Sequence, residues 1–91
     1  MENISVKITV SGRVQGVGFR YYIWRFCKDR RITGFVRNLS NGNVEIFAEG
    51  DKKDLEELIE YANSGPSSAK VTSCHFQWLE YVNKYNNFEI Y

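Results

Sequence analysis

Residues 12–20 read Gly12-Arg13-Val14-Gln15-Gly16-Val17-Gly18-Phe19-Arg20 and separate a stretch of alternating apolar residues from one with helical spacing. Glycine permits sharp turns, so successive backbone N–H groups of such a segment can point into one concavity. The start of a helix adds partial positive charge, and Arg20 adds a planar guanidinium that is always charged. This combination is typical of a site for a tetrahedral oxyanion such as a phosphoryl group. A glycine-rich turn followed by a solvated arginine fits the same residues.

The segments around this stretch predict a strand, a helix and a hairpin. Residues 4–11 alternate between apolar and polar side chains, with the period of two that a half-buried strand shows. Residues 19–31 carry apolar side chains at helical spacing, and Gly34 marks the end of that section. Two apolar runs, 35–39 and 44–48, then flank Asn41-Gly42, which is a strong signal for a hairpin turn.

The second half of the chain predicts a helix and two more strands. Asp51 is placed to cap a helix whose apolar positions are Leu55, Leu58, Ile59 and Ala62. Residues 64–68 break that helix, 71–79 form a strand, and 88–91 form a short final strand. The sequence does not decide which face of strand 71–79 is buried, because two apolar sets alternate there: Cys74, Phe76 and Trp78 against Val71 and Leu79.

The predicted order is therefore β-α-β-β-α-β-β. One apolar stripe per helix and one apolar face per strand predict an antiparallel sheet with two helices on one face. This is the α+β, ferredoxin-like split βαβ sandwich (βαββαβ), here with a short final strand. Without repeats or linkers, residues 1–91 are predicted to form a single domain.

Composition narrows the classes of function. The formal net charge of +1 offers little attraction for nucleic acid or a membrane surface, and no apolar run approaches the ~20 residues of a membrane-spanning helix. The N-terminal residues lack the pattern of a signal peptide, so a cytoplasmic location is expected. Cys27 and Cys74 are expected to be free thiols, and the single His75 gives no metal-ligand pattern. A catalytic Cys–His pair remains an alternative.

Two common phosphate-binding patterns do not fit residues 12–20. Neither Gly16 nor Gly18 leads to the Lys-Ser or Lys-Thr of a Walker loop, and Tyr21 stands where the dinucleotide pattern needs glycine. What remains is a compact anion site with one arginine, and no carboxylate cluster in the loop to hold a metal. Asn38, before the hairpin, has an amide that can orient water, although an asparagine there is also a common backbone cap.

Three segments together resemble the acylphosphatase family: residues 12–20, Gly34-Phe35-Val36-Arg37-Asn38, and Gly42-Asn43-Val44-Glu45. The resemblance covers essentially the whole chain. It implies an acylphosphatase, a hydrolase that cleaves the carboxyl–phosphate anhydride bond of acyl phosphates to a carboxylate and inorganic phosphate. It further implies that Arg20 is the phosphate-binding catalytic arginine and that Asn38 positions the attacking water. The phosphate cradle would be the backbone amides of Gln15, Gly16, Val17, Gly18, Phe19 and Arg20.

The same resemblance implies a small-molecule acyl phosphate substrate and no cofactor or metal. Inorganic phosphate is expected as the product and as a competitive inhibitor, because the cradle would recognise the group that it shares with the substrate. A monomer with no nucleic acid or membrane partner is expected.

Two other functions fit the predicted fold. An RNA-binding module shares the βαββαβ plan, and Gly34–Arg37 resembles part of its aromatic signature, although on the second strand instead of the third. A phosphoanion-binding regulator without activity would use the same cradle, and only turnover distinguishes it from the enzyme.

Overall fold

A computed structural model describes residues 2–91. Over these residues, five strands and two helices follow in the order β1 (Asn3–Arg13), α1 (Phe19–Asp29), β2 (Thr33–Asn38), β3 (Val44–Asp51), α2 (Lys52–Ser64), β4 (Lys70–Leu79) and β5 (Phe88–Ile90). The predicted order of elements and the split βαβ α+β class are confirmed. No helix in the described part of the chain is long and apolar enough to cross a membrane.

The strands form one sheet in the order β4-β1-β3-β2-β5. The antiparallel sheet that the sequence predicted is present in the first four strands, with β1 between β3 and β4. β5 adds a parallel strand beside β2, pairing Gly34 with Phe88 and Val36 with Ile90. The sheet is therefore mixed, and its last strand carries the end of the chain back toward the start of α1.

The core lies between one face of the sheet and the two helices. Alternation along β1 places Val6, Ile8 and Val10 on that face, where none of the three is accessible to solvent. Each such side chain contributes about 1.5–3 kcal/mol by leaving water. The helices face this layer through their apolar stripes, which are Phe19, Ile23, Phe26 and Cys27 on α1 and Leu55, Leu58 and Ala62 on α2.

A bulge in β4 explains why the buried face of this strand could not be decided from the sequence. Ser11 pairs with Ser73 but Gly12 pairs with Val71, so Thr72 is an extra residue on β4. The extra residue reverses the alternation, because a bulge shifts every later side chain to the other face. Val71 and Cys74 therefore both pack against the core, although their spacing of three does not fit a regular strand.

Gly34 lies inside β2, where the sequence suggested a break before the strand. Its φ is 137°, and a Cβ at this position would overlap the backbone oxygen of Phe47 on β3. Glycine is needed here because the two backbones approach more closely than a side chain permits.

The other face of the sheet is partly covered by residues 80–87, which we call the crossing segment. The Glu49 carboxylate on β3 accepts hydrogen bonds from the N–H groups of Val82 and Lys84, both at 3.0 Å, and from the Ser5 hydroxyl at 2.8 Å. Burial alone would raise the pKa of Glu49, but these hydrogen bonds outweigh it and hold the pKa below its ordinary value. Glu49 thus fixes the crossing segment to the middle of the sheet.

Glu49→Gln is expected to lower the free energy of unfolding by about 2 kcal/mol at neutral pH, because a neutral amide replaces a charged acceptor and turns a donor toward a backbone N–H. Urea denaturation checks this, with Glu60→Gln, an exposed change on α2, as the matched control. Equal stability of the two variants would contradict the assignment.

The folded-state pKa of Glu49 lies below the unfolded-state value of about 4.3. The contribution of Glu49 to the free energy of unfolding is therefore complete above the unfolded-state pKa, and it is lost as the pH falls through the folded-state pKa. Below about pH 5, the wild-type chain should therefore lose stability more steeply than Glu49→Gln.

Candidate active site

A cavity of about 280 Å³ lies where the β1–α1 loop meets the end of β2. The structure brings Arg20 and Asn38 together in this cavity, although 17 positions separate them in the sequence. Its lining consists of Val14, Gly16, Gly18, Phe19, Arg20, Tyr21, Asn38 and Ile90. Gln15 and Val17, the two other members of the predicted cradle, are not among the lining residues.

Residues 14–18, the glycine loop, present unpaired backbone to this cavity. Gly16 and Gly18 have φ values of 74° and 79°, the left-handed region that favours glycine, and a Cβ on either would point into open space. Gly18 is also the N-cap of α1 and provides no side-chain cap. None of the hydrogen bonds found within residues 2–91 uses the N–H groups of residues 16–19 as donors. These donors remain available to an anion.

Two side-chain contacts hold the glycine loop in place. The Gln15 amide nitrogen donates to the backbone oxygens of Leu39 and Asn43, each at 2.8 Å, and so fixes the loop to the β2–β3 hairpin. The Ser68 hydroxyl donates to the backbone oxygen of Val17 at 2.8 Å. The side chain of Gln15 therefore has a structural role, which is separate from any role of its backbone N–H in binding. Its contact fixes the loop relative to the strand that carries Asn38.

Arg20, in the first turn of α1, is half-buried at the edge of the cavity. Its Nη1 donates to the backbone oxygen of Tyr91 at 2.7 Å, and the Tyr91 N–H in turn donates to the backbone oxygen of Val36 at 2.9 Å. The chain after β5 therefore fixes one edge of the guanidinium. This contact could not be predicted from the sequence, because it depends on β5 lying parallel beside β2.

Asn38 is the last residue of β2, and its side-chain oxygen is buried without a hydrogen-bond partner within residues 2–91. The alternative role of a turn cap belongs to Asn41, whose Oδ1 accepts from the Asn43 N–H at 3.0 Å. The neighbouring Arg37 points to the other face of the sheet, where its Nε donates to the Glu45 carboxylate at 2.7 Å. A buried acceptor without a donor costs about 1–3 kcal/mol, so its position in the cavity indicates a ligand that supplies the hydrogen.

The other candidate chemistries do not come together in the structure. Cys74 and His75 are neighbours on β4 and face opposite sides of the sheet. Cys27 lies on the buried face of α1, and this burial raises the pKa of its thiol. Both cysteines are free. Within residues 2–91, no three His, Cys, Asp or Glu side chains converge to form a metal site.

Phe35, the aromatic residue of the segment that resembles an RNA-binding signature, packs against rings of its own chain. The Phe35 ring lies 6.0 Å from the ring of Phe47 and 5.2 Å from that of Tyr91. Tyr85 of the crossing segment contacts both phenylalanine rings, at 5.8 and 5.6 Å. An RNA-recognition sheet instead leaves such rings free to stack on bases.

Gln15→Ala is expected to lower the free energy of unfolding by roughly 1–3 kcal/mol, because two hydrogen bonds between the glycine loop and the hairpin are lost and each contributes about 0.5–1.5 kcal/mol. Gln77→Ala, an exposed change on β4, is the matched control. Chemical denaturation of the two variants measures the difference, and equal stability would show that the loop does not depend on this amide.

Comparison with known proteins agrees with this geometry. The acylphosphatase family model matches residues 6–90. An acylphosphatase of Caldanaerobacter subterraneus subsp. tengcongensis is 40% identical over 87 residues, which cover 96% of this chain and 97% of the relative.

Solved structures give the same result. The crystal structure of acylphosphatase from Bacillus subtilis has a TM-score of 0.92 at 35% identity, covering 97% of this chain and 98% of that one. An acylphosphatase from Coxiella burnetii also has a TM-score of 0.92, at 32% identity, covering 98% of this chain and 93% of that one. The chain belongs to the acylphosphatase family of enzymes.

Proposed function

We propose that this protein hydrolyses acyl phosphates to a carboxylate and inorganic phosphate, using the cavity that holds Arg20, Asn38 and the glycine loop. The observation that carries the proposal is the combination in one small cavity of a fixed cation, unpaired backbone donors and a buried, unpartnered amide oxygen. Family membership supports the same reaction.

The phosphoryl group would be bound by the glycine loop and Arg20. In the transition state, negative charge is spread over its three equatorial oxygens, while the attacking and leaving oxygens lie roughly in line with the phosphorus. Backbone N–H groups at the start of α1 and the planar guanidinium suit those oxygens, because both are donors already fixed in place. Stabilisation of this kind does not require reorganisation during the reaction, and one donor is typically worth about 3 kcal/mol or more in the transition state.

The attacking water would be positioned by Asn38. Its buried Oδ1 can accept a hydrogen bond from water, which satisfies the acceptor and orients the water oxygen toward the phosphorus. An amide is too weak a base to remove the proton, so the contribution is one of positioning. No covalent intermediate with the protein is needed, because water attacks the phosphoryl group directly. The P–O bond to the carboxylate breaks as the new P–O bond forms, and the protons of the water end on the inorganic phosphate.

The leaving group explains why the cavity needs no acid residue. An acyl phosphate is a mixed anhydride, and its carboxylate leaves as a stable anion without being protonated. The charge that develops is met by Arg20 and the loop amides, so a metal ion is not required in this proposal. The proposal also keeps the cytoplasmic location expected from the sequence.

The function is tested by hydrolysis of acetyl phosphate and benzoyl phosphate by the wild-type protein, with and without EDTA. We expect turnover that EDTA does not change and competitive inhibition by inorganic phosphate. Binding of phosphate without turnover would instead identify a regulator that binds phosphoanions.

Arg20→Ala is expected to lower kcat/KM by at least ~100-fold and to weaken inhibition by inorganic phosphate, because the same guanidinium binds substrate and product. Arg25→Ala, an exposed change on the same helix, should retain both properties. Thermal denaturation separates the loss of the guanidinium from a loss of folding. If Arg20→Ala is folded and still binds phosphate normally, Arg20 does not bind the phosphoryl group.

Asn38→Ala is expected to lower kcat by roughly 100-fold while the inhibition constant of phosphate changes little, because positioning of water acts on the reaction and not on binding. Asn63→Ala, an exposed change near the end of α2, is the matched control. Wild-type kcat in folded Asn38→Ala protein would rule out the positioning role.

A further inference from the structure

The cavity has an apolar side that the phosphoryl group does not use. Among its lining residues, Val14 and Phe19 are buried, and the two glycines carry no side chain. Tyr21 and Ile90 are different, since 56% and 41% of these residues remain accessible to solvent. Single exposed apolar side chains are common, but these two border the same cavity as Arg20 and Asn38.

Contacts behind Tyr21 and Ile90 hold this apolar side in place. The ring of Tyr21 stacks on that of Trp24 one turn later in α1, with centroids 5.7 Å apart and planes 28° apart. The Trp24 indole N–H donates to the backbone oxygen of Phe88 at 3.1 Å, which ties α1 to β5, the strand that carries Ile90. The two side chains therefore belong to elements that are fixed to one another.

The proposed reaction leaves these two residues to contact the acyl group. In an in-line displacement, the attacking and leaving oxygens lie on opposite sides of the phosphorus. With water at Asn38 and the phosphoryl oxygens at the glycine loop and Arg20, the acyl group must contact lining side chains that have neither role. Of these side chains, Tyr21 and Ile90 are the exposed ones.

We propose that Tyr21 and Ile90 form the acyl-binding part of the site and that the preferred substrates are acyl phosphates with an aromatic or bulky apolar acyl group. This inference rests on the proposed function. Apart from Arg20, the lining residues carry no charge, so nothing there favours an acyl group bearing a carboxylate or an amine. An aromatic acyl group would cover the exposed faces of both side chains, whereas an acetyl group is too small to contact them fully.

The test compares kcat/KM for benzoyl phosphate and acetyl phosphate in the wild-type protein and in the double variant Tyr21→Ser/Ile90→Ser. The ratio of the two values cancels effects that act on both substrates alike. We expect this ratio to fall about 10-fold in the variant, the scale on which a lost apolar contact changes specificity. Tyr81→Ser/Val82→Ser, on the crossing segment outside the cavity, is the matched control and should keep the wild-type ratio.

Each outcome decides the inference. A ratio that stays within twofold of wild type, or an equal loss for both substrates, would overturn the acyl-binding role while leaving the proposed function intact. If the wild-type protein hydrolyses neither substrate, the proposed function fails and the inference fails with it. Tyr21→Ser alone, measured in the same way, gives a second reading should the double variant not fold.

Discussion

The side-chain amide of Gln15 is the contact on which the geometry of the site depends. It joins the glycine loop, which follows β1, to two backbone oxygens of the hairpin that follows β2. The loop carries the unpaired backbone donors of the cavity, and the strand before the hairpin carries Asn38. Without this amide, we expect the loop to shift relative to the strand that carries Asn38, and a displacement of 1 Å is enough to impair catalysis.

The site is also a place where the fold leaves polar groups unsatisfied. The buried Asn38 oxygen has no donor within the described part of the chain, although native proteins pair nearly all buried polar groups. The N–H groups of residues 16–19, on a largely exposed loop, have no acceptor there. The rest of the fold compensates through a closely packed core and through Glu49, which satisfies two backbone donors of the crossing segment. An active site commonly departs from local stability rules in this way.

Much of this arrangement could be predicted from the sequence, because it depends on local patterns. The spacing of apolar residues specified both helices, Asn41-Gly42 specified the hairpin, and the glycines of residues 12–20 specified a loop that a helix follows. Arg20 and Asn38 came together as the resemblance implied, although their roles stay predictions. The features that escaped prediction are set by neighbours distant in sequence. Thr72 forms a bulge opposite β1, Gly34 lies in a strand because Phe47 is close, and Tyr91 contacts Arg20 through a parallel strand.

The position of β1 between β3 and β4 has a consequence for how the protein folds. Its partners are β3 and β4, and the pairing of Arg13 with Lys70 joins residues 57 positions apart. Strand pairing at such separation must overcome a large loss of chain entropy before contacts stabilise it, so folding in the range of milliseconds to seconds is expected, slower than for a helical protein of this size. The contact between Arg20 and Tyr91 spans 71 positions and requires the sheet to be complete as far as β5. We therefore expect the candidate active site to be among the last parts of the molecule to form, although its glycine loop lies near the beginning of the chain.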